Sequence, residues 1–308
     1  MTTRLYTHQL SVEHITPPGH PERPDRIRML DEVFADERFS KLVRIEAPEA
    51  DPALFELAHP ETHLQHIKEK IPETGLAIVD ADTSASPKSW EVVRHVCGAA
   101  MDAVDAVFED AADNAFVSMR PPGHHAEKTT AMGFCLVNNI AIAARYAQQK
   151  HGIERVAIVD FDVHHGNGTQ DIFQDDPSVL FASTHQMPLY PGTGALEETG
   201  VGNIFNAPLR DGDDGSRFKE AFRERVLPAV ENFAPDLIMI SAGFDAHYRD
   251  PLAGLNLGAE DFDWATGKLM EIADDHCGNR VVSLLEGGYD LQGLAESAAA
   301  HVNRLMNG

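Results

Sequence analysis

The residues best equipped for chemistry in this chain lie in short runs flanked by glycine or proline: Arg120-Pro-Pro-Gly-His124-His125, Asp160-Phe-Asp162-Val-His164-His165-Gly-Asn167, Ser241-Ala-Gly-Phe-Asp245-Ala-His247 and Glu286-Gly-Gly-Tyr289. Asp162 and His164 are two residues apart, so on extended backbone they point to one side and can hold one ion together. Asp245 can close that site from a neighbouring strand. Two carboxylates and one imidazole leave Zn²⁺ an open position for water, the catalytic rather than the structural pattern. Such an ion lowers the pKa of water and polarises a carbonyl.

Adjacent side chains diverge, so His124 and His125 suit proton transfer better than joint metal binding. One of them can be the base for water. A catalytic imidazole needs a partner on its other ring nitrogen to fix tautomer and basicity, and Asp160 and Asn167 are the candidates. Tyr289, in a Gly-Gly-Tyr turn, can donate its hydroxyl to the oxyanion formed when water attacks an acyl carbonyl.

Strands must bring these runs together. Asn114 to Ser118, Arg155 to Asp160, Ser178 to Ser183, Asp236 to Ser241 and Arg280 to Leu285 are apolar runs of buried-strand length. Helical spacing is read over Asp25–Phe34, Trp90–Phe108, Leu136–Gln149, Ser216–Phe233, Glu260–Ala273 and Leu291–Met306. Strands alternating with helices predict an α/β fold, a mostly parallel central sheet with helices on both faces, as a single domain over residues 1–308. In such a sheet ligands bind beyond the carboxyl ends of the strands, and four of the five predicted strands run directly into the polar stretches above. The loop opened by Asp80-Ala-Asp-Thr83 has no place assigned by pattern alone.

Composition narrows the function classes. With 49 acidic residues against 25 Lys plus Arg, the net charge is −24, a field that repels nucleic acid and anionic lipid and draws in cations. No direct nucleic-acid binding is expected. Neither a signal peptide nor an apolar run of about 20 residues is evident, so no membrane association and a cytoplasmic location are expected. The three cysteines, Cys97, Cys135 and Cys277, form no CxxC pair and are expected to be reduced, buried and passive.

Taken in order, the motifs RPPGHHA, GFCLVNN, VDFDVHHGNGTQ, YPGTG, SAGFDAH followed by DPLAG, and LEGGYD resemble the histone deacetylase family, closest to its class II branch and the bacterial deacetylase-like amidohydrolases. HPERPDR and SPKSWE extend the likeness over nearly the whole chain. The resemblance implies an arginase-like fold and hydrolysis of an N-acyl amine by a zinc-dependent deacetylase. One Zn²⁺ would be bound by Asp162, His164 and Asp245. His125 would be general base and then acid, His124 its electrostatic partner, and Tyr289 the group polarising the carbonyl. Phe134 and Tyr190 fall at the two aromatic walls of the acyl-lysine tunnel, with Gly133, Gly287, Leu252 and Asp82 around it; the second wall is usually Phe. Asp160, Asp162, His164 and Ser183 match a structural K⁺ site, and backbone near Phe173 and Val179 a second.

Three alternatives stand beside this reading. A two-metal ureohydrolase of the arginase type would need further carboxylates where this chain has His165-Gly and His247. An acyl-amine binding module would need no proton shuttle. An acetylpolyamine amidohydrolase uses the same chemistry, but in the polyamine-specific relative a Glu follows Asp-Pro after the last ligand, and here Asp250-Pro251 is followed by Leu252. That ranks acyl-lysine or small N-acyl amines first. The oligomeric state stays open.

Overall fold

The computed structural model describes residues 1–308. Ten strands occur: β1 (Thr3–Thr7), β2 (Val43–Glu46), β3 (Ala77–Ile78), β4 (Ser84–Ala85), β5 (Asn114–Val117), β6 (Val156–Asp160), β7 (Val179–Gln186), β8 (Ile204–Leu209), β9 (Leu237–Ala242) and β10 (Val281–Leu285). Eight of them form one sheet in the order β2-β1-β5-β10-β9-β6-β7-β8, and every pairing in it is parallel. The five strands expected from apolar runs are β5, β6, β7, β9 and β10. Three more complete the sheet, and there is a physical reason that apolar runs do not reveal them. β2 (Val-Arg-Ile-Glu) is an edge strand with mostly exposed residues, β1 beside it carries Arg4, and β8 closes the other edge. None needs the unbroken apolar run of a strand buried on both faces.

The helices are α1 (Asp25–Phe34), α2 (Glu61–Lys70), α3 (Ser89–Phe108), α4 (Asn139–His151), α5 (Asn167–Phe173), α6 (Gly215–Ala221), α7 (Leu227–Phe233), α8 (Ala259–Cys277) and α9 (Leu291–Asn307). Alternate strand residues feed opposite layers, as a two-residue period requires. Val159 and Ile240 pack with α1, α8 and α9, whereas Ile158 and Met239 pack with α3 and α4. Helices thus cover both faces. The continuous helix expected over Ser216–Phe233 is instead α6 and α7 joined by a π turn at Phe222–Val226. Pro228 has no N–H to return to Glu224, which breaks the regular ladder there. α4 begins three residues later than expected because Asn138 caps it, accepting from the Ala141 N–H, and it ends at Gly152 in the left-handed region, φ 67°. The three cysteines are unpaired and buried, as anticipated. No helix is long and apolar enough to cross a membrane.

Candidate active site

The carboxyl ends of β5, β6, β9 and β10 deliver the polar runs to one place. β6 ends at Asp160, and the chain beyond it turns so tightly that the His164 N–H donates to Asp162 Oδ1 at 2.9 Å. His164 Nδ1 then stands 3.1 Å from Asp162 Oδ1 and 3.0 Å from Asp245 Oδ2, with one ligand atom of each residue within 4.8 Å of the others. The remaining carboxylate oxygens are held from behind. Gly287 N–H donates to Asp162 Oδ2 and Val163 N–H to Asp245 Oδ1, each at 2.8 Å. Gly287, expected beside the tunnel, therefore packs against the carboxylates. A Cβ there would meet Asp245 Oδ2 at 2.2 Å.

All three residues are buried, and their charges do not balance. Burial would raise the Asp162 carboxyl, but the His124 and His164 imidazoles hold it low. Asp245 is pushed up to about 7 by burial and by the charge of Asp162. Two carboxylates facing one imidazole, with their rear oxygens already satisfied, form a donor set that fits a divalent cation.

The neighbouring histidines leave β5 with ring centroids 4.0 Å apart and different partners. His124 Nδ1 lies 2.9 Å from Asp160 Oδ2. Burial would lower its pKa, yet Asp160, Asp162 and Glu286 raise it well above the usual value, which favours the imidazolium. His125 Nδ1 lies 2.8 Å from Asn167 Oδ1. Because Asn167 Nδ2 donates to Glu127 Oε1 at 2.8 Å, its oxygen faces His125, which assigns the imidazole hydrogen to Nδ1 and leaves Nε2 free. Burial first, and then the charges of His124 and His164, push His125 well below its usual pKa. Asp160 and Asn167 are thus brought to the two imidazoles one each.

Beside this corner lie Gly133 and Phe134, both with positive φ, 57° and 68°. A side chain at Gly133 would strike the His125 ring at 2.3 Å. Asp82, whose loop had no assigned place, sits on the β3–β4 hairpin and accepts the Gly133 N–H at 2.9 Å, while Thr83 Oγ1 accepts the Phe134 N–H at 3.0 Å. Tyr190 stands opposite, its ring edge-on to His125 with centroids 5.1 Å apart and 38% exposed. The Asp82 carboxylate helps to raise its pKa, after burial. The Tyr289 ring meets Phe134 edge-on at 5.9 Å, and burial pushes its hydroxyl well above the usual pKa against the opposing charge of Arg26, with Asp245 and Asp162 adding to the rise. Leu252 lies in the loop where Asp250 accepts both the Leu252 and the Tyr289 N–H groups, at 3.0 and 2.7 Å.

Two histidines of the polar runs go elsewhere. His165 Nδ1 pairs with Thr193 Oγ1 at 2.8 Å and Nε2 with Gln170 Oε1 at 2.9 Å, and Gln170 Nε2 donates to Glu198, which accepts the Gly194 and Ala195 N–H groups. That network shapes the Tyr-Pro-Gly-Thr-Gly loop carrying Tyr190. His247 packs against Gly293 and Glu296.

Sequence reasoning missed a buried ion cluster behind Tyr289. Glu22 takes a two-pronged contact from Arg120 and a 3.3 Å contact from Arg26. Those guanidinium groups override burial and hold the Glu22 carboxyl at about 2. Arg26 also donates to the Gly288 and Glu286 carbonyls and lies 4.9 Å from the centroid of the Tyr289 ring. The available signal is the pair of arginines in His-Pro-Glu-Arg-Pro-Asp-Arg and Arg-Pro-Pro-Gly-His-His, too polar for fully buried positions unless paired.

A sequence profile described as "Histone deacetylase domain" matches residues 20–305. The chain belongs to the histone deacetylase family. Its relatives include a probable deacetylase of Archaeoglobus fulgidus, 38% identical over 300 residues that cover 95% of this chain and 83% of that one. A histone deacetylase-like amidohydrolase of Pseudomonas aeruginosa is 38% identical over 278 residues, 88% of this chain and 73% of that one. Among solved structures, the HD domain of HDA15 superposes with a TM-score of 0.93 at 35% identity, covering 99% of this chain and 88% of that one. This chain is therefore a deacetylase or amidohydrolase of that family, with the single-domain, largely parallel sheet anticipated from its alternating pattern.

Proposed function

We propose that this deacetylase hydrolyses N-acyl amines of the acyl-lysine type, or small N-acyl amines, in preference to acetylpolyamines, with one zinc ion held by Asp162, His164 and Asp245. The observation that carries the reading is His125, tied through Nδ1 to Asn167 with Nε2 left free, beside the buried donor set of Asp162, His164 and Asp245. Zinc in that set would polarise the acyl carbonyl and acidify water. His125 Nε2 accepts the proton of the attacking water and then returns it to the leaving nitrogen. His124, kept cationic by Asp160, favours the negative charge that develops on the acyl oxygen. The Tyr289 hydroxyl donates to the same oxygen. Phe134 and Tyr190 flank the methylene stem, and the products are an amine and a carboxylate. The pairing of Asp160 with Ser183 in the β6–β7 ladder supports a K⁺ ion held there with the backbone around Asp162 and His164.

A hydrolysis panel of acetyl-lysine peptides, longer acyl-lysines and acetylpolyamines, run with zinc-loaded protein, tests the substrate ranking; a strong acetylpolyamine preference overturns it. Tyr289→Phe should keep one zinc per chain and lose on the order of 10²–10³ in turnover, the cost of one oxyanion donor. Unchanged turnover would remove Tyr289 from the scheme. Two metal ions per chain by elemental analysis would instead favour the ureohydrolase reading.

A further inference from the structure

Glu286 follows β10 directly and is buried, yet no step of the proposed reaction uses its side chain. β10 lies between β5 and β9, the strands that lead to the two histidines and to Asp245. The Glu286 carboxyl group reaches both neighbours. Oε2 accepts the Gly123 N–H at 2.7 Å and the His124 N–H at 3.1 Å, and Oε1 lies 3.2 Å from the Ser241 hydroxyl near the end of β9. The backbone completes the tie, because the Glu286 N–H donates to the Ala242 carbonyl at 3.0 Å. Glu286 thus joins the ends of three adjacent strands.

The turn that carries the histidines has little slack. The His124 carbonyl accepts the Gly168 and Thr169 N–H groups of α5, at 3.0 and 3.2 Å, and a Cβ on Gly123 would come within 2.6 Å of the Asn139 nitrogen. The turn is therefore gripped through its carbonyl by α5 and through its N–H groups by Glu286. Gly123 and His124 are buried, where an N–H without an acceptor is costly. These bonds hold in either protonation state of Glu286. The Ser241 hydroxyl can donate to a carboxylate or accept from a carboxylic acid, while Oε2 serves the two N–H groups in both.

We propose that Glu286 is a positioning residue for the proton transfer: by binding the Gly123 and His124 N–H groups it fixes where the His124 and His125 imidazoles stand against Asp162, His164 and Asp245. The inference rests on the roles proposed above for the two histidines. What it requires of Glu286 is reach, so a neutral group of the same length serves and a shorter anion does not.

Two variants separate reach from charge, with activity counted per folded, zinc-loaded molecule so that a loss of stability alone leaves it unmoved. Glu286→Gln keeps an oxygen for the turn and an N–H for Ser241, whereas Glu286→Asp keeps the anion and is one methylene too short. Glu286→Asp should lower kcat by about 10–100-fold, the range for a residue that orients catalytic groups from behind, with KM little changed. Glu286→Gln should lose far less. The ring N–H proton resonances of His124 and His125 give a readout that needs no substrate: Glu286→Gln should keep them and Glu286→Asp should displace them. An Asp variant as active as the parent protein, or a Gln variant that loses as much as the Asp variant, overturns the proposal, as do parent-like ring resonances in Glu286→Asp. Should Glu286→Asp not fold, Ser241→Ala, which frees Oε1, takes its place and should displace the same resonances; unmoved resonances there overturn the proposal. A parent protein that hydrolyses no acyl amine overturns the reaction instead, and the ring resonances still decide what Glu286 holds.

Discussion

His124 and His125 are neighbours in sequence, leave the same strand and lie with ring centroids 4.0 Å apart, yet their surroundings shift their pKa values in opposite directions. The first is paired with a carboxylate, Asp160, and raised; the second has only a neutral amide, Asn167, for a partner, and burial and the charges of His124 and His164 lower it. The first also acts on the second. A cationic His124 makes a second positive charge beside it costly, and so keeps His125 available as a base near neutral pH. The partners themselves come from β6 and α5, where Asp160 closes the strand and Asn167 opens the helix.

The harshest way to break this asymmetry is to remove the base. His125→Ala should lower kcat by about 10²–10⁴, the range for a positioned general base, with zinc content unchanged by elemental analysis. A loss within about threefold would place the proton transfer on another group. Removing the charge behind His124 should do less. Asp160→Asn keeps an oxygen for the Asp162 N–H, 3.0 Å away in the parent protein, but takes away the carboxylate bonded to His124, one of three anions that favour its imidazolium. An outer-shell change of this kind costs about 10–100-fold in activity. The decisive measurement is the pH profile: with the His124 imidazolium less favoured, less positive charge faces His125, so the acid limb of kcat/KM should move to higher pH. An unmoved limb would mean that the two imidazoles do not communicate.

Local causes are legible in the sequence and distant ones are not. The Asp162/His164 pair, the glycine-flanked turns and the five buried strands are local patterns of period two and of turn chemistry, and the fold keeps them where they are expected. Asp160 and Asn167 are legible as partners, though not which serves which histidine. That assignment depends on the direction in which Asn167 turns its amide, set by Glu127, 40 residues away in the chain. The Glu22–Arg26–Arg120 cluster spans 98 residues and leaves no periodic trace. The π turn before α7 does carry a local signal, since Pro228 inside a helical pattern forbids a regular ladder. Edge strands β2 and β8 are hidden because one neighbour, not two, constrains their composition.

The finest test keeps the contact to His125 and changes a single charge, giving up the donation from the Asn167 amide to Glu127. Asn167→Asp is nearly isosteric, and its carboxylate would accept the same hydrogen from His125 Nδ1, 2.8 Å from the present oxygen. An anion at that distance favours the imidazolium, so the His125 pKa must rise, by about one unit or more for an opposite charge so close. Since catalysis needs His125 neutral, the acid limb of kcat/KM should shift to higher pH by the same amount, while the plateau changes little. The shift has the same direction as that of Asp160→Asn but arises from the other histidine, so the double variant should move the limb further than either alone. If the Asn167→Asp profile coincided with that of the parent protein, the acid limb would belong to a different group, and the lowered pKa of His125 would not be what sets the working pH.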